Sequence, residues 1–98
     1  MTDIEITKAC AASLGFEGND SVFVSVGRVI INDGGNSIYD PLHDDAQCFA
    51  LVKKFGLWLR QFDGKWHIRH VETDQDILDE NLNRAICECV AKMRNDIS

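Results

Sequence analysis

The chain has 98 residues, a net charge of -6 and a pI near 4.8. Its length suits a single domain spanning residues 1–98. A content of 45% hydrophobic and 27% charged residues is ordinary for a globular protein and argues against disorder. The acidic balance argues against broad affinity for nucleic acid, because phosphates are repelled on average. No apolar run of about 18 residues is present, so the sequence predicts no membrane span.

The cysteine content and the N-terminal residues predict a reducing environment. The N-terminal sequence MTDIEITKAC carries acids and no apolar run of signal-peptide length, so no secretory segment is expected. In the cytoplasm, thiols stay free and pack as small apolar side chains. We therefore expect a cytoplasmic protein with structural cysteines, Cys89 in the core and Cys87 partly exposed. The remaining cysteines are Cys10 and Cys48.

Three segments have the pattern of helices. The first covers about residues 3–14, where Thr2 and Glu5 form a capping box. The second covers Leu42–Phe55, and the third covers about Asp79–Arg94. The third segment has the clearest amphipathic spacing. Its apolar positions are Leu82, Ala85, Ile86, Cys89, Val90 and Met93.

The strands are expected in two hairpins. Residues 21–31 are rich in β-branched side chains. Gly27-Arg28 either forms a two-residue turn there, which we favour, or marks a bulge in one long strand. Residues 33–36 are expected to form a loop. Asp63-Gly64 is a strong signal for a second hairpin, and Glu72–Glu80 is expected to be an acidic connector.

The turn at Asp63-Gly64 fixes the register of the second hairpin and sorts its side chains between two faces. The expected pairs are Leu59 with Ile68, Arg60 with His67, and Gln61 with Trp66. The face expected to contribute to the core holds Leu57, Leu59, Trp66 and Ile68. The opposite face is aromatic and basic, and it holds Trp58, Arg60, Phe62, Lys65, His67 and Arg69.

The order of elements predicts an α+β fold, in which a small, mainly antiparallel sheet with two hairpins packs against three helices. The pattern leaves open whether helices cover one side of the sheet or both. Cover on both sides would give an α/β/α sandwich, in which the long cations of the hairpin extend to the rim.

No arrangement typical of catalysis or metal binding stands out. Cys87 and Cys89 would point about 200° apart on a helix and could not hold one ion together. The run of Asp74, Asp76 and Asp79 lacks the glycine and the terminal glutamate of a calcium loop. No histidine has an evident nucleophile partner in the sequence. We therefore expect no metal, no cofactor and no enzymatic activity.

The aromatic, basic hairpin face is the partner-binding surface that the sequence predicts. Such a face suits an acidic protein patch or single-stranded nucleic acid, and the net charge disfavours the nucleic acid. An alternative hypothesis reverses the charge, so that acids of the connector mimic nucleic acid and occupy a groove of another protein. These acids are Glu72, Asp74, Asp76, Asp79 and Glu80. A face without a partner and a homodimer interface remain further alternatives.

Three segments resemble a known family. DPLHDDAQCFALVKKFGLWL (residues 40–59) resembles the helix-into-strand segment of the phage ABA sandwich domain, and NLNRAICECVAKM (residues 81–93) resembles its closing helix. TDIEITKACAASLGF (residues 2–16) is similar to the start of NinX-like phage proteins. His43, Cys48 and the aromatic, basic hairpin depart from the family pattern, which offers no catalytic residue to carry over.

The resemblance implies a small phage- or prophage-encoded protein in the cytoplasm of a bacterial host. Small phage proteins of this kind often act stoichiometrically on a host enzyme or defence complex. The resemblance therefore implies an accessory protein that binds a host protein or protein–nucleic-acid complex, with inhibition of a CRISPR system as one candidate effect. The alternatives are a nucleic-acid-binding module that uses the hairpin face and a structural or homo-oligomeric phage protein.

Overall fold

The computed structural model describes residues 2–16, 18 and 21–97 of the chain. It confirms the α+β class, with helices and antiparallel strands in the expected order. The helices are α1 (Asp3–Ser13), α2 (Asp45–Phe55) and α3 (Leu82–Ile97). The strands are β1 (Val22–Ser25), β2 (Arg28–Asn32), β3 (Asn36–Tyr39), β4 (Trp58–Phe62), β5 (Lys65–His70) and β6 (Gln75–Asp79).

The strands form two separate three-stranded sheets. The first has the order β1-β2-β3 and the second has the order β4-β5-β6, with every neighbouring pair antiparallel. Helix α3 packs against β5 and β6 of the second sheet and also contacts α1 and α2. Helix α1 contacts β2 of the first sheet. The core therefore lies around α3, which connects the second sheet to the other two helices.

The burial of α3 explains why one cysteine prediction is wrong. Cys87 was expected to be partly exposed, but its exposed fraction is 0%, as is that of Cys89. The sheet covers one side of α3 while α1 and α2 contact it elsewhere, so the buried surface extends beyond one apolar stripe. The predicted stripe itself is confirmed, since its members are buried except Leu82, which is half-buried.

Local hydrogen bonds define where α1 begins. The amide of Glu5 donates to Thr2 Oγ1 and the amide of Thr2 donates to Glu5 Oε1, both at 3.2 Å, so the predicted capping box is confirmed. At the other end, Gly15 has a φ of 99°, and the Phe16 amide donates to the Ala11 carbonyl.

Two predicted helix starts are wrong. Helix α2 begins at Asp45 and not at Leu42, because the extended Asp44 is its N-cap and accepts from the Gln47 amide at 3.0 Å. Helix α3 begins at Leu82 and not near Asp79, because Asp79 pairs with a residue of β5. Neither helix could start earlier without breaking these local contacts.

The first hairpin is confirmed in preference to the bulge, but its turn lies one residue earlier than expected. Val26 and Gly27 form the turn, with φ angles of 52° and 72°, and Arg28 already pairs with Ser25. The predicted loop is also shorter, because Asn36 pairs with Asn32 in the first sheet.

The acidic connector is the largest error of the sequence-based prediction. Within Glu72–Glu80, the residues Gln75–Asp79 form β6 and pair along the whole strand with β5. The acidic residues of this segment predict a connector, because acids are depleted in strands. Here the neighbouring strand supplies cations that the local sequence does not reveal.

Candidate functional site

The second sheet has one face packed against the core and one face open. The predicted register of β4 and β5 is confirmed, with Leu59 opposite Ile68, Arg60 opposite His67 and Gln61 opposite Trp66. Ile68 is fully buried, while Leu59 and Trp66 are partly buried against the core cluster. Helix α3 packs on β5 and β6 from this side.

We call the opposite side the outer face, and its members come from all three strands. β4 contributes the alternate residues from its start, and β5 and β6 contribute the residues paired in register with them. It consists of Trp58, Arg60, Phe62, Lys65, His67, Arg69, Asp76 and Leu78. All six side chains of the predicted partner-binding surface therefore lie together on one face, joined by two residues of β6.

Large apolar side chains on the outer face are exposed to solvent. The exposed fractions are 65% for Trp58, 63% for Phe62 and 57% for Leu78. The sequence left open whether helices would cover this face, and these values show that it is uncovered. Exposed aromatic groups on a sheet are typical of binding surfaces, because water is a poor solvent for them.

Carboxylates on the outer face pair with part of its positive charge. Asp76 Oδ1 accepts from His67 Nε2 at 2.7 Å, and its Oδ2 accepts from Arg69 Nη1 at 3.1 Å. Arg69 also donates through Nη2 to Asp74. The predicted basic and acidic surfaces are therefore not separate, since Asp74 and Asp76 pair with the cations of β5.

The other predicted acids lie apart from this network. Glu72 is exposed in the turn after β5, and Glu80 is exposed just before α3. Asp79 pairs in register with the half-buried Trp66, and its Oδ1 accepts from the Asn81 amide at 2.8 Å. The five acids of the alternative surface are thus divided among a turn, two sides of β6 and a helix start.

Arg60 and Lys65 are the cations of the outer face whose charge is not compensated. Among the residues that the structure describes, neither has an ion-pair partner. Arg60 lines a shallow depression of about 440 Å³ together with Phe62 and Leu78. His67 and Asp76 also line the depression, so this part of the face combines the charge of Arg60 with a concavity of mixed apolar and polar character.

The buried thiols have the properties of structural groups. Disulfides are absent among the four cysteines, all of which are buried. Burial raises the pKa of the Cys89 thiol to about 11. Hydrogen bonding between Cys48 and Cys87, followed by burial, raises the pKa of Cys48 far above its ordinary range. Protonated, shielded thiols are poor nucleophiles.

The histidines lie in separate places in the structure. His67 lies on the outer face, whereas His70 is buried and accepts from the Thr73 amide at 3.2 Å. His43 lies beside Asp40 at 3.0 Å, before α2. Within residues 2–16, 18 and 21–97, no group of three or more acids, cysteines and histidines is arranged to hold a metal ion.

Sequence reasoning missed Leu78 and the pairing role of Asp76. The signal that could have found them is the alternation within Gln75–Asp79, where buried Ile77 lies between two exposed residues.

None of the described helices has the length and apolar character needed to cross a membrane. Comparison with family models, with curated proteins and with solved structures yields no match to this chain.

Proposed function

We propose that this chain is a non-catalytic binding protein that docks onto a partner protein through the outer face of the second sheet. The observation that carries the proposal is the exposure of Trp58 and Phe62 beside Arg60 and Lys65, which have no ion-pair partner among the residues that the structure describes. Aromatic side chains and arginine are the groups that contribute most to protein interfaces. The fold leaves these groups uncovered at a cost in solvation that a partner would remove.

The chemistry of the face favours a partner with acidic and apolar groups. Arg60 and Lys65 would pair with carboxylates, and the depression beside Phe62 would receive an apolar side chain. Nucleic acid is less well matched, because Asp76 on this face and Asp74 in the adjoining turn present carboxylates and the chain carries a net charge of -6. Mimicry of nucleic acid by the acids is disfavoured too, because Arg69 already pairs with two of them.

The proposal about which organism supplies the partner rests on the sequence resemblance to small phage proteins. On that basis the proposed partner belongs to a bacterial host cell and is a protein or a protein–nucleic-acid complex. Inhibition of a defence complex such as a CRISPR system is the form of activity that the resemblance implies. A second copy of this chain is the competing occupant of the face.

The test uses the double variant Arg60→Glu with Lys65→Glu. Both side chains are exposed and lack ion-pair partners among the described residues, so we expect an almost unchanged melting temperature. Capture of the partner from lysate of the host should be lost, and a complex reconstituted from the identified partner should weaken by at least about tenfold.

The matched control is Lys8→Glu with Lys54→Glu, which makes the same charge change on exposed helical positions. This control should retain the partner. Equal capture by both double variants would refute the assignment of the face. Light scattering of the isolated chain shows whether a second copy occupies it, and a gel shift that weakens as salt rises would support nucleic acid instead.

A further inference from the structure

A second cavity lies at the end of the first sheet. It has a volume of about 590 Å³ and is bounded by α1, by the β1–β2 turn and by the segment that follows β3. Ile4, Val29 and Leu42 contribute aliphatic walls. This volume falls within the range of small-molecule sites, roughly 300–1,000 Å³. The cavity involves none of the residues of the outer face.

The turn at the mouth of this cavity contains a residue that the fold does not explain. Val26 and Gly27 have φ angles of 52° and 72°, nearly the same as the 53° and 78° of Asp63 and Gly64 in the other hairpin. Such turns favour asparagine, aspartate or glycine at the first position, whereas a β-branched residue there is strained. Val26 is also 98% exposed, so its side chain gains no burial within the chain.

Two carboxylates, a histidine and one guanidinium are among the side chains that line the cavity. Asp3 pairs with Arg84 at 2.7 Å, and Asp40 lies 3.0 Å from His43 Nδ1. Arg28, by contrast, has no ion-pair partner among the residues that the structure describes. A guanidinium beside aliphatic walls matches a ligand with a carboxylate head and a short apolar body.

We infer that this cavity binds a small amphiphilic carboxylate. Its carboxylate pairs with Arg28, its aliphatic body lies against Ile4, Val29 and Leu42, and Val26 closes over it at the mouth. Binding would bury the exposed valine, which supplies the missing reason for a strained β-branched residue in this turn. The site is independent of the outer face and of the partner proposed for it.

Calorimetric titration of the full chain with sodium octanoate tests the inference. Octanoate should bind, while octylammonium chloride, of matched length and opposite charge, should not. Arg28→Gln should weaken octanoate binding by about tenfold or more, because a charge-assisted contact is lost. Val26→Asn should weaken it by roughly threefold while keeping the fold, because one apolar wall becomes polar.

The control variant is Lys54→Gln, which removes one exposed cation of α2 that does not line the cavity and should leave octanoate binding unchanged. Circular dichroism verifies that each variant is folded. Equal binding of octanoate and octylammonium, or unchanged binding by Arg28→Gln, would overturn the inference. The absence of any octanoate binding at concentrations up to about 1 mM would overturn it as well.

Discussion

Asp76 determines which cations of the outer face are available to a partner. Its two carboxylate oxygens accept from His67 and Arg69, so the charge of Arg69 is already compensated within the sheet. Arg60 and Lys65 lack such a contact among the described residues. Two arginines on the same face therefore differ. Arg69 connects β5 to the acids of β6 and of the turn before it, whereas Arg60 stays available for the proposed contact with a partner.

This difference predicts that two charge reversals change the stability of the fold by different amounts. Arg69→Glu should lower the free energy of unfolding by about 1–2 kcal/mol, because it removes two ion pairs and places like charges together. Arg60→Glu should change it by less than about 0.5 kcal/mol. Urea denaturation measures the free energy of unfolding of both variants. The difference between the two variants should become smaller at high salt, because salt screens the ion pairs. Equal stability of the two variants would contradict the assigned roles.

At the scale of elements, the sequence predicted correctly a hairpin that local residues determine and missed a strand that depends on contacts with another strand. The hairpin of β4 and β5 was predicted with its register, because Asp63-Gly64 is a local signal sufficient to fix it. Strand β6 was missed, because its Asp76 forms an ion pair with Arg69 and a hydrogen bond with His67, both of which belong to another strand. The six residues that the hairpin contributes to the outer face were therefore predicted, whereas Leu78 of β6 was missed.

The two hairpin turns allow a matched test of backbone strain. Val26→Asn should raise the free energy of unfolding by about 1 kcal/mol, because asparagine tolerates the positive φ that valine resists. The reverse change, Asp63→Val, should lower it by a similar amount, about 1 kcal/mol. Thermal or urea denaturation of both variants measures the effect. A loss of stability in Val26→Asn would show that valine contributes to the fold in a way its exposure does not reveal.

At the scale of the whole molecule, the helices are arranged so that one sheet face is left open. Helix α3 covers the inner side of the second sheet and also packs against α1 and α2, which leaves the outer face uncovered. A chain of net charge -6 thus presents exposed Trp58 and Phe62 beside Arg60 and Lys65, neither of which forms an ion pair within the described part of the chain. The sequence predicts that the two faces of this hairpin differ in character. Only the structure, in which α3 packs on the inner side, shows that the outer face is exposed to solvent.

The most direct test of the central claim is the solvent access of Trp58 in the complex. In the Trp66→Phe variant, Trp58 is the remaining tryptophan, and its exposed fraction of 65% predicts efficient quenching by acrylamide in the free chain. On addition of the captured partner, quenching should fall severalfold and the emission should shift to the blue, because the indole leaves water. The Trp58→Phe variant, which reports on half-buried Trp66, should change little. Unchanged quenching of Trp58 in a fully formed complex would contradict the account.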